Sequence, residues 1–419
     1  GATPVESGTM LDYMGIPIGT VPDSIPISAL PFRCYNKIFN YWFRDENLVQ
    51  PVPENTGDTE LNDYETDYLL KSRRKRRDYI TSGLPFPQKG PTVNISLGGL
   101  APVQGLGFLE GTIITSASVD IRETESASRT GVTATQTGTE ELYIATDTLG
   151  ANSLTQPQIY ADLATATGFT INDLRESFQI QKLLERDARG GTRYPEILQS
   201  HFQVTDPSLL VHQRPMFLGG GHSRVNITPV QQTQETQNPG TPQGNLAAYG
   251  TVSGQHGFTQ SFTEHGHVLG LVNFRADLTY QEGLERYWSR RTRYDFYWPA
   301  LSHLGEQATY NSEVYVSNDA DIDSATFSYM PRYDEYRSKQ SQITGLFRSE
   351  ADDSLDVWHL AQDFGSLPAL NETFITDNVP MDRVVAVPTE PDWLLDVYFK
   401  IRAARPLPTY ATPGLIDHF

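Results

Sequence analysis

The sequence predicts a mainly β protein, a β-sandwich or jelly roll whose strands are joined by long excursions. Two segments, 272–280 and 393–402, alternate between apolar and polar residues, as half-buried strands do. The composition agrees, because 21 Tyr and 19 Phe favour pleated surfaces while 33 Gly and 27 Pro supply turns. The chain does not show the βαβ repetition of a parallel sheet, so antiparallel strands with insertions and a few helices are predicted.

Shorter versions of the same alternation predict three further strands, at residues 91–99, 222–228 and 382–388. In the first of them, apolar residues occupy every second position and glycines end the run. The predicted strands lie far apart along the chain. Long insertions between strands are therefore part of the predicted fold.

Two segments have the periodicity of a helix. Residues 170–191 begin at Thr170, a suitable N-cap, and stop at Gly190 and Gly191. The apolar residues of this segment fall on two opposite sides, so we expect the helix to be buried between two bodies or kinked. Residues 33–48 place large apolar side chains on one face and form the second predicted helix.

Two polar segments, 122–140 and 231–261, are predicted to be long loops. Both contain many Thr, Gln and Gly residues and few large apolar ones. Loops of this length in a compact chain are usually functional or binding elements.

The charge and cysteine content narrow the possible classes of protein. The 419 residues carry a formal net charge of -19, which argues against a nucleic-acid coat held by overall charge. Cys34 is the single cysteine, so no disulfide within the chain is possible, and we expect it to be a buried small hydrophobe. No apolar run is long enough to predict a membrane span.

A basic cluster interrupts this acidic sequence at residues 71–77. It consists of Lys71, Arg73, Arg74, Lys75, Arg76 and Arg77. Clustered cations of this kind bind phosphate groups and release counterions, so these residues are the candidate DNA contacts. The alternative is that they pair with the six acidic residues at 54–67 directly before them.

A second candidate site interleaves arginine with aromatic residues at 285–301. Its candidate residues are Arg290, Arg291, Arg293, Tyr294 and Trp298. Arginine beside aromatic rings is typical of a groove that binds single-stranded nucleic acid by stacking. An aromatic core or a subunit interface has the same composition and stays open as the alternative.

Metal sites are predicted only weakly, and no enzyme motif is present. His265 and His267 could share one metal, but two ordinary strand histidines explain them better. Asp319, Asp321 and Asp323 have the spacing of a calcium loop without its glycine or its closing glutamate, so a solvated acidic turn is the default. We therefore predict no enzymatic activity and no cofactor.

Several long stretches resemble one protein family. They are ISALPFRCYNKIFNYWFRDENL (27–48), RDYITSGLPFPQKGP (77–91), FQIQKLLERDARGGTRYPEIL (178–198), SFTEHGHVLG and its continuation to residue 308, ITGLFRS, SLDVWHLAQDF and ARPLPTYATPGLIDHF. Together they are similar to the major capsid proteins of small single-stranded-DNA bacteriophages, the gokushovirus branch of the microviruses. The resemblance runs in the same order from about residue 10 to Phe419.

The resemblance implies a viral jelly roll, an eight-stranded antiparallel β-sandwich, in one capsid domain over residues 1–419. It implies self-assembly into a T=1 icosahedral virion shell around circular single-stranded DNA, inside the cytoplasm of the host bacterium. The implied partners are copies of the chain, the DNA, pilot, scaffolding and DNA-binding virion proteins, and a host surface receptor.

The resemblance also gives roles to three parts of the sequence. Residues 111–169 occupy the slot of an inserted surface loop that contributes to host attachment, and this loop is short here. We expect the Pro-rich residues 403–419 to form a C-terminal arm, and the cluster at 71–77 to face inward. Family members usually carry a long region before the LDYMGIP segment, so this chain is expected to be a fragment or a mature portion, or its numbering starts late.

Two other classes of protein remain as alternatives. A lectin-like, carbohydrate-binding β-sandwich would share the aromatic content and the lack of a catalytic motif. A metal-dependent hydrolase built around His265 and His267 is the enzyme alternative. Particle formation distinguishes a capsid protein from the lectin, and metal analysis tests the hydrolase.

Overall fold

The computed structural model describes residues 3–22, 24–58, 64–93, 103–104, 106–108, 118–123, 132–136, 142–145, 160–161, 171–205, 214–231, 246–387 and 389–405. The chain forms two compact units. The first consists of Gly1–Pro85 and Ser208–Phe419, and the second of Phe86–Pro207.

The described residues include seven α-helices, most of them short. They are α1 (Met10–Tyr13), α2 (Leu30–Ile38), α3 (Tyr64–Asp67), α4 (Ile171–Gly190), α5 (Tyr194–Ile197), α6 (Ala320–Ser324) and α7 (Glu372–Ile375). Two of them continue as π-helical turns, α2 through Phe39–Phe43 and α5 through Leu198–Phe202. Single 3-10 turns lie at Arg286–Ser289, Arg293–Asp295, Pro299–Leu301, Asn311–Glu313, Asp334–Tyr336, Gly345–Phe347 and Asp356–Trp358.

Ten strands form four small antiparallel sheets among the described residues. They are β1 (Val103–Gln104), β2 (Leu106–Phe108), β3 (Ser118–Glu123), β4 (Val132–Gln136), β5 (Leu142–Ala145), β6 (Tyr160–Ala161), β7 (Asn226–Gln231), β8 (Leu246–Thr251), β9 (Glu306–Tyr310) and β10 (Thr326–Pro331). Strands β2 to β5 form a four-stranded meander, and the other sheets are the pairs β1–β6, β7–β8 and β9–β10.

The core of the first unit is built from two hydrophobic clusters. One gathers Tyr79, Ile80, Tyr280, Val314, Phe327, Met330 and Phe374. The other gathers Val5, Met10, Leu11, Phe32, Tyr35 and Tyr68 around α1 and α2. Strand β10 buries Phe327, Ser328 and Met330, and its pairing with β9 is irregular between Thr326 and Ser328, so the hairpin β9–β10 is anchored to the first cluster by Phe327 and Met330.

Helix α4 dominates the described part of the second unit and confirms the helix predicted at 170–191, although Thr170 lies outside the described residues. The prediction that it would be buried on two sides is wrong. Ile171, Phe178 and Leu183 are each more than half exposed, and only Ala188 is fully buried. The periodicity located the helix, but whether another surface covers an apolar side chain depends on distant parts of the chain.

The predicted helix at 33–48 is shorter than expected. It comprises α2 and its π-helical turn, and it ends at Phe43. The buried Asn40 explains the close contact with the next segment, because its side chain donates to Val52 O at 2.7 Å and accepts from Val52 N at 2.8 Å. These bonds hold the end of the helix against Val52, so the chain turns back after the helix ends.

Most of the strand predictions are wrong as predictions of hydrogen-bonded strands. Residues 272–280 form only single bridges at Tyr280, residues 382–388 include a turn, and residues 393–402 make no described ladder. The stretch 222–228 contributes only its end to β7, and most of 91–99 lies outside the described residues. The alternation matches burial only in part, because Leu278 and Tyr280 meet the core whereas Phe399 and Ile401 are exposed. A ladder also requires a neighbouring strand.

The eight-stranded jelly roll therefore stays a prediction, because the sheets of the described residues are small. Much of 111–169 and most of 403–419 lie outside the described residues. None of the described helices has the length and apolar character needed to cross a membrane.

Candidate functional site

The basic cluster at 71–77 is held by backbone hydrogen bonds on both sides. Lys75 N donates to Ile375 O at 2.7 Å, and Asp377 N donates to Arg73 O at 2.8 Å. On the other side, Arg74 N donates to Phe43 O at 3.0 Å. The backbone of the cluster is therefore fixed between Phe43 and residues 375–377. This backbone sets the directions in which the side chains of the cluster point.

Lys75 points into the protein and is only 4% exposed. Its ammonium group donates to the Gln362 side chain at 3.2 Å and lies 4.6 Å from the centre of the Phe374 ring. Burial lowers the pKa of Lys75, while the carboxylates of Asp377 and Asp78 act against that shift. Lys75 is thus part of the packed interior, and a DNA contact through it would need the surrounding structure to open.

The arginines of the cluster have polar and aromatic partners. Arg73 donates to Asn273 at 3.1 Å and lies 5.1 Å from the Phe43 ring centre. Arg76 pairs with exposed Asp277 at 2.7 Å, and Arg74 lies 4.0 Å from Asp45.

These two carboxylates are outside the acidic run at 54–67, which was the alternative partner considered from the sequence. Lys71, Arg76 and Arg77 are exposed, so half of the six candidate residues present their charge to solvent. Exposed pairs such as that of Arg76 contribute little stability, and a phosphate can replace the carboxylate.

The arginine-aromatic segment at 285–301 contains three short 3-10 turns, and its aromatic rings lie on the surface. Residues 291–298 are all exposed; Tyr294 is 57% and Trp298 is 46% accessible. The Trp298 indole donates to Arg293 O at 2.7 Å, and the Arg293 guanidinium lies 4.9 Å from the Tyr294 ring centre. A buried aromatic core is therefore excluded for these residues, and a stacking groove or a subunit interface remains.

A buried ionic network lies under this segment. Glu313, 4% exposed, accepts from Arg286 at 3.0 Å, from the Tyr79 hydroxyl at 2.8 Å and from Tyr310 N at 2.9 Å. Burial raises the pKa of Glu313 even though Arg286 opposes the shift. Burial would lower the pKa of Arg286, but Glu313 and the groups around it raise it instead, so the guanidinium keeps its charge.

A polar cavity of about 130 Å³ adjoins this network. Its lining residues are Arg286, Ser289, Arg290, Asp295, Gln307, Tyr310, Arg332, Tyr333 and Glu335. The hairpin β9–β10 brings the distant parts together, since Arg332 N donates to Gly305 O at 3.3 Å. The cavity therefore combines the predicted Arg290 with residues that the sequence did not single out.

The acidic triplet has local structural roles. Asp319 caps α6 by accepting from Asp321 N at 3.0 Å, and Asp323 accepts from Ser317 N and Ser317 Oγ at 2.8 Å each. His265 and His267 are exposed. Within the described ranges, no group of three or more His, Cys, Asp or Glu side chains is placed to hold a metal ion.

Comparison with known proteins gives the decisive observation. Residues 1–415 match the phage family described as "Capsid protein (F protein)". The chain belongs to this family of phage capsid proteins. The match covers nearly the whole chain, including the basic cluster, the arginine-aromatic segment and the cavity.

Three relatives of this capsid protein carry the name Capsid protein VP1. The protein of Chlamydia phage 1 is 41% identical over 464 aligned positions, covering 97% of this chain and 77% of the relative. That of Bdellovibrio phage phiMH2K is 42% identical over 429 positions, covering 99% and 77%. That of Spiroplasma virus 4 is 33% identical over 430 positions, covering 98% and 77%. The resemblance to capsid proteins predicted from the sequence is confirmed, and with it a structural role.

Sequence reasoning missed three residues around the cavity of this capsid protein, Glu313, Arg332 and Glu335. They lie 27 to 49 positions after Arg286, so no local spacing links them to it. The sequence offers only a weak indication of their role, because all that marks them is a charged side chain in a tyrosine-rich part of the chain. Only the pairing of β9 with β10 shows that they meet.

The carboxyl pair of Glu282 and Asp363 predicts a pH dependence of stability. Burial, followed by a hydrogen bond with Asp363, raises the pKa of Glu282 to about 7. Because the folded-state pKa is above the ordinary value, the protonated carboxyl contributes stability below about pH 4.5, and this contribution is lost as the pH rises through about 7. We expect the melting temperature to fall from pH 5 to pH 8 and to fall less in Glu282→Gln. Glu264→Gln, at an exposed position, is the control; identical slopes in all three proteins would contradict the prediction.

Proposed function

We propose that this capsid protein is the building block of a T=1 icosahedral shell that encloses circular single-stranded DNA. The observation that carries the proposal is the family match over residues 1–415 together with relatives 41% and 42% identical that are named capsid proteins. In this proposal the chain folds as a viral jelly roll with insertions. The shell assembles in the cytoplasm of the host bacterium.

The exposed apolar surface supports repeated contacts between copies. Phe178 on α4 is 63% exposed, Trp288 65% and Trp358 61%. Large exposed aromatic residues are enriched where proteins associate, and a closed shell needs several different contacts on each copy. These residues are therefore suitable anchors for neighbouring copies.

The basic cluster supports an inward-facing contact with the DNA. Lys71, Arg76 and Arg77 supply exposed positive charge on a chain whose formal net charge is -19. Salt-dependent binding of phosphate needs only such a local patch. In the same proposal, pilot, scaffolding and DNA-binding proteins are further virion partners, and residues 111–169 contribute to attachment to a host surface receptor.

The alignment to the Chlamydia phage 1 protein bears on the size of the inserted loop. It extends over 464 positions, whereas this chain has 419 residues, so that relative has additional residues within the matched region. The alignments to the other two relatives extend over only 429 and 430 positions, so most of these additional residues belong to the Chlamydia phage 1 protein alone.

Electron microscopy of the expressed protein tests the proposed function. We expect uniform icosahedral particles from the intact chain and none after deletion of residues 414–419, because the apolar end of the predicted C-terminal arm contacts the body or a neighbouring copy. The control exchanges Asp417→Asn and His418→Gln, which keeps the length and the apolar residues, and should still form particles. Normal shells from the deleted chain would refute the arm, and small soluble oligomers from the intact chain would refute the shell.

A further inference from the structure

The cavity beside β9–β10 has the size of a small oxyanion. Its volume of about 130 Å³ is several times the roughly 10–15 Å³ that one water needs, which leaves room for a tetrahedral phosphate group. Guanidinium groups of Arg286, Arg290 and Arg332 all belong to its lining. Planar guanidinium groups form paired hydrogen bonds with phosphate oxygens, so the lining suits this ligand.

The three arginines differ in how far their charge is already neutralised. Arg286 is paired with Glu313 at 3.0 Å, and Arg290 lies 3.5 Å from Glu335. Arg332 has no ion pair among the described residues, and its guanidinium lies 4.9 Å from the Tyr333 ring centre. Arg332 is therefore the residue whose charge is most available to an anion.

Two buried donors in the lining lack partners. The Nε atoms of Arg290 and Arg332 are inaccessible to solvent and make no hydrogen bond to the described residues. A buried unsatisfied donor is unfavourable, and a donor on a charged group more so. Because both atoms are closed to solvent, an oxyanion in the cavity can pair with them only after the two side chains shift.

The carboxylates of the lining are occupied by other donors. Asp295 accepts from Arg291 N at 3.0 Å, from Thr292 N at 2.7 Å and from Thr292 Oγ1 at 3.0 Å, which lowers its pKa. Glu335 accepts from Gln307 at 2.7 Å. These bonds fix the two carboxylates. Because Arg286 and Arg290 pair with Glu313 and Glu335, Arg332 is the arginine of the lining without a carboxylate partner among the described residues.

Exposed aromatic rings adjoin the cavity. The Arg290 guanidinium lies 4.3 Å from the Tyr336 ring centre and 5.4 Å from that of Phe296, and both rings are about half exposed. Tyr333, whose ring centre is 6.0 Å from that of Tyr336, has a left-handed φ of 66°. This conformation costs free energy in a non-glycine residue and recurs at ligand sites. The Tyr333 hydroxyl, which accepts from Trp298 N at 3.2 Å, fixes the cavity wall.

We propose that this cavity binds a phosphate group of single-stranded DNA while the adjoining base stacks on Tyr336 or Phe296. The inference rests on the proposed function for the presence of the DNA. Single-stranded DNA and free inorganic phosphate both carry the phosphate group that this cavity recognises. Arg332 supplies the main charge, and Arg290 connects the phosphate to the rings.

Equilibrium binding to the full-length chain tests the site with three probes: an oligothymidylate, an abasic strand of equal length and inorganic phosphate. Arg332→Gln should weaken oligothymidylate binding about tenfold and reduce the slope of log K against log salt by about one. The matched control is Arg337→Gln, which removes an equal charge from an arginine with 71% of its side chain exposed and outside the lining. It should change affinity less than about twofold. Equal losses in both variants, or none, would overturn the site.

The three probes separate the sources of the phosphate. Weaker binding of the abasic strand supports stacking beside the cavity. Dependence of phosphate binding on Arg332, with oligothymidylate binding unchanged, would overturn the assignment to DNA. If Arg332→Gln does not fold, competition on the unaltered chain decides: phosphate must displace oligothymidylate better than chloride at equal ionic strength, and equal displacement overturns the proposal. Particle formation is scored separately, so shells that form without this binding refute only the inference.

Discussion

Glu313→Ala should lower the free energy of unfolding of the capsid protein by about 3–5 kcal/mol. Glu313 accepts from Arg286, Tyr79 and Tyr310 N in a site where its side chain is 2% exposed. Removing it leaves the charge of Arg286, whose side chain is 16% exposed, without its main partner. The midpoint of urea denaturation followed by tryptophan fluorescence measures the loss.

Two control proteins separate the buried charge from general damage. Glu285→Ala removes the partner of Lys339, an ion pair at 2.6 Å whose lysine side chain is 73% exposed, and should cost less than about 1 kcal/mol. Arg286→Met combined with Glu313→Leu removes both charges of the buried pair. We expect the double variant to be more stable than Glu313→Ala, because no unpaired charge is left inside. A double variant that is less stable than Glu313→Ala would contradict this explanation.

The helix α4 shows which features of the fold are readable from the sequence. Its apolar repeat and its terminal glycines are local signals, and the helix Ile171–Gly190 lies within two residues of the predicted ends. The exposure of Phe178 is a non-local property and was predicted incorrectly.

The segment 272–280 shows the opposite case. Alternation correctly identified the side that meets the core, since Tyr280 is buried and Leu278 packs against the first hydrophobic cluster. It could not predict the missing ladder, because hydrogen bonding depends on which distant strand lies beside the segment. The family resemblance, rather than the strand pattern, carried the prediction of function.

The residues of the candidate site also divide into those that the sequence could predict and those that it could not. Arg290 was predicted because it lies in a dense local run of arginine and aromatic residues. Arg332 was missed because the pairing of β9 with β10 brings it to the cavity. Glu313 was missed because the turn after β9 brings it to Arg286, and no short motif records either arrangement. Lys75 was predicted as a candidate DNA contact, yet it is buried against Phe374 and Gln362, nearly 300 positions later in the chain.

Gly283→Ala should destabilise the protein by about 1–3 kcal/mol or more, although alanine is the smallest possible side chain to add. The chain at Gly283 lies directly against residues 312–316: Leu284 N donates to Ser312 O at 2.7 Å, and Val316 N donates to Glu282 O at 3.1 Å. A Cβ atom at Gly283 would lie closer than 3.0 Å to the carbonyl oxygen of Glu313, which is backbone and cannot rotate away.

The clash has a second consequence, because the backbone that must move carries the Glu313 side chain. A shift of that backbone alters the hydrogen bonds of Glu313 with Arg286 and Tyr79 as well as those of the segment itself, so strain and lost pairing add. Gly365→Ala is the matched control, since no atom lies within 4 Å of the added carbon there. It should leave the urea midpoint nearly unchanged. If both substitutions had the same small effect, the close approach of residue 283 to residue 313 would not be the constraint that orders the buried network.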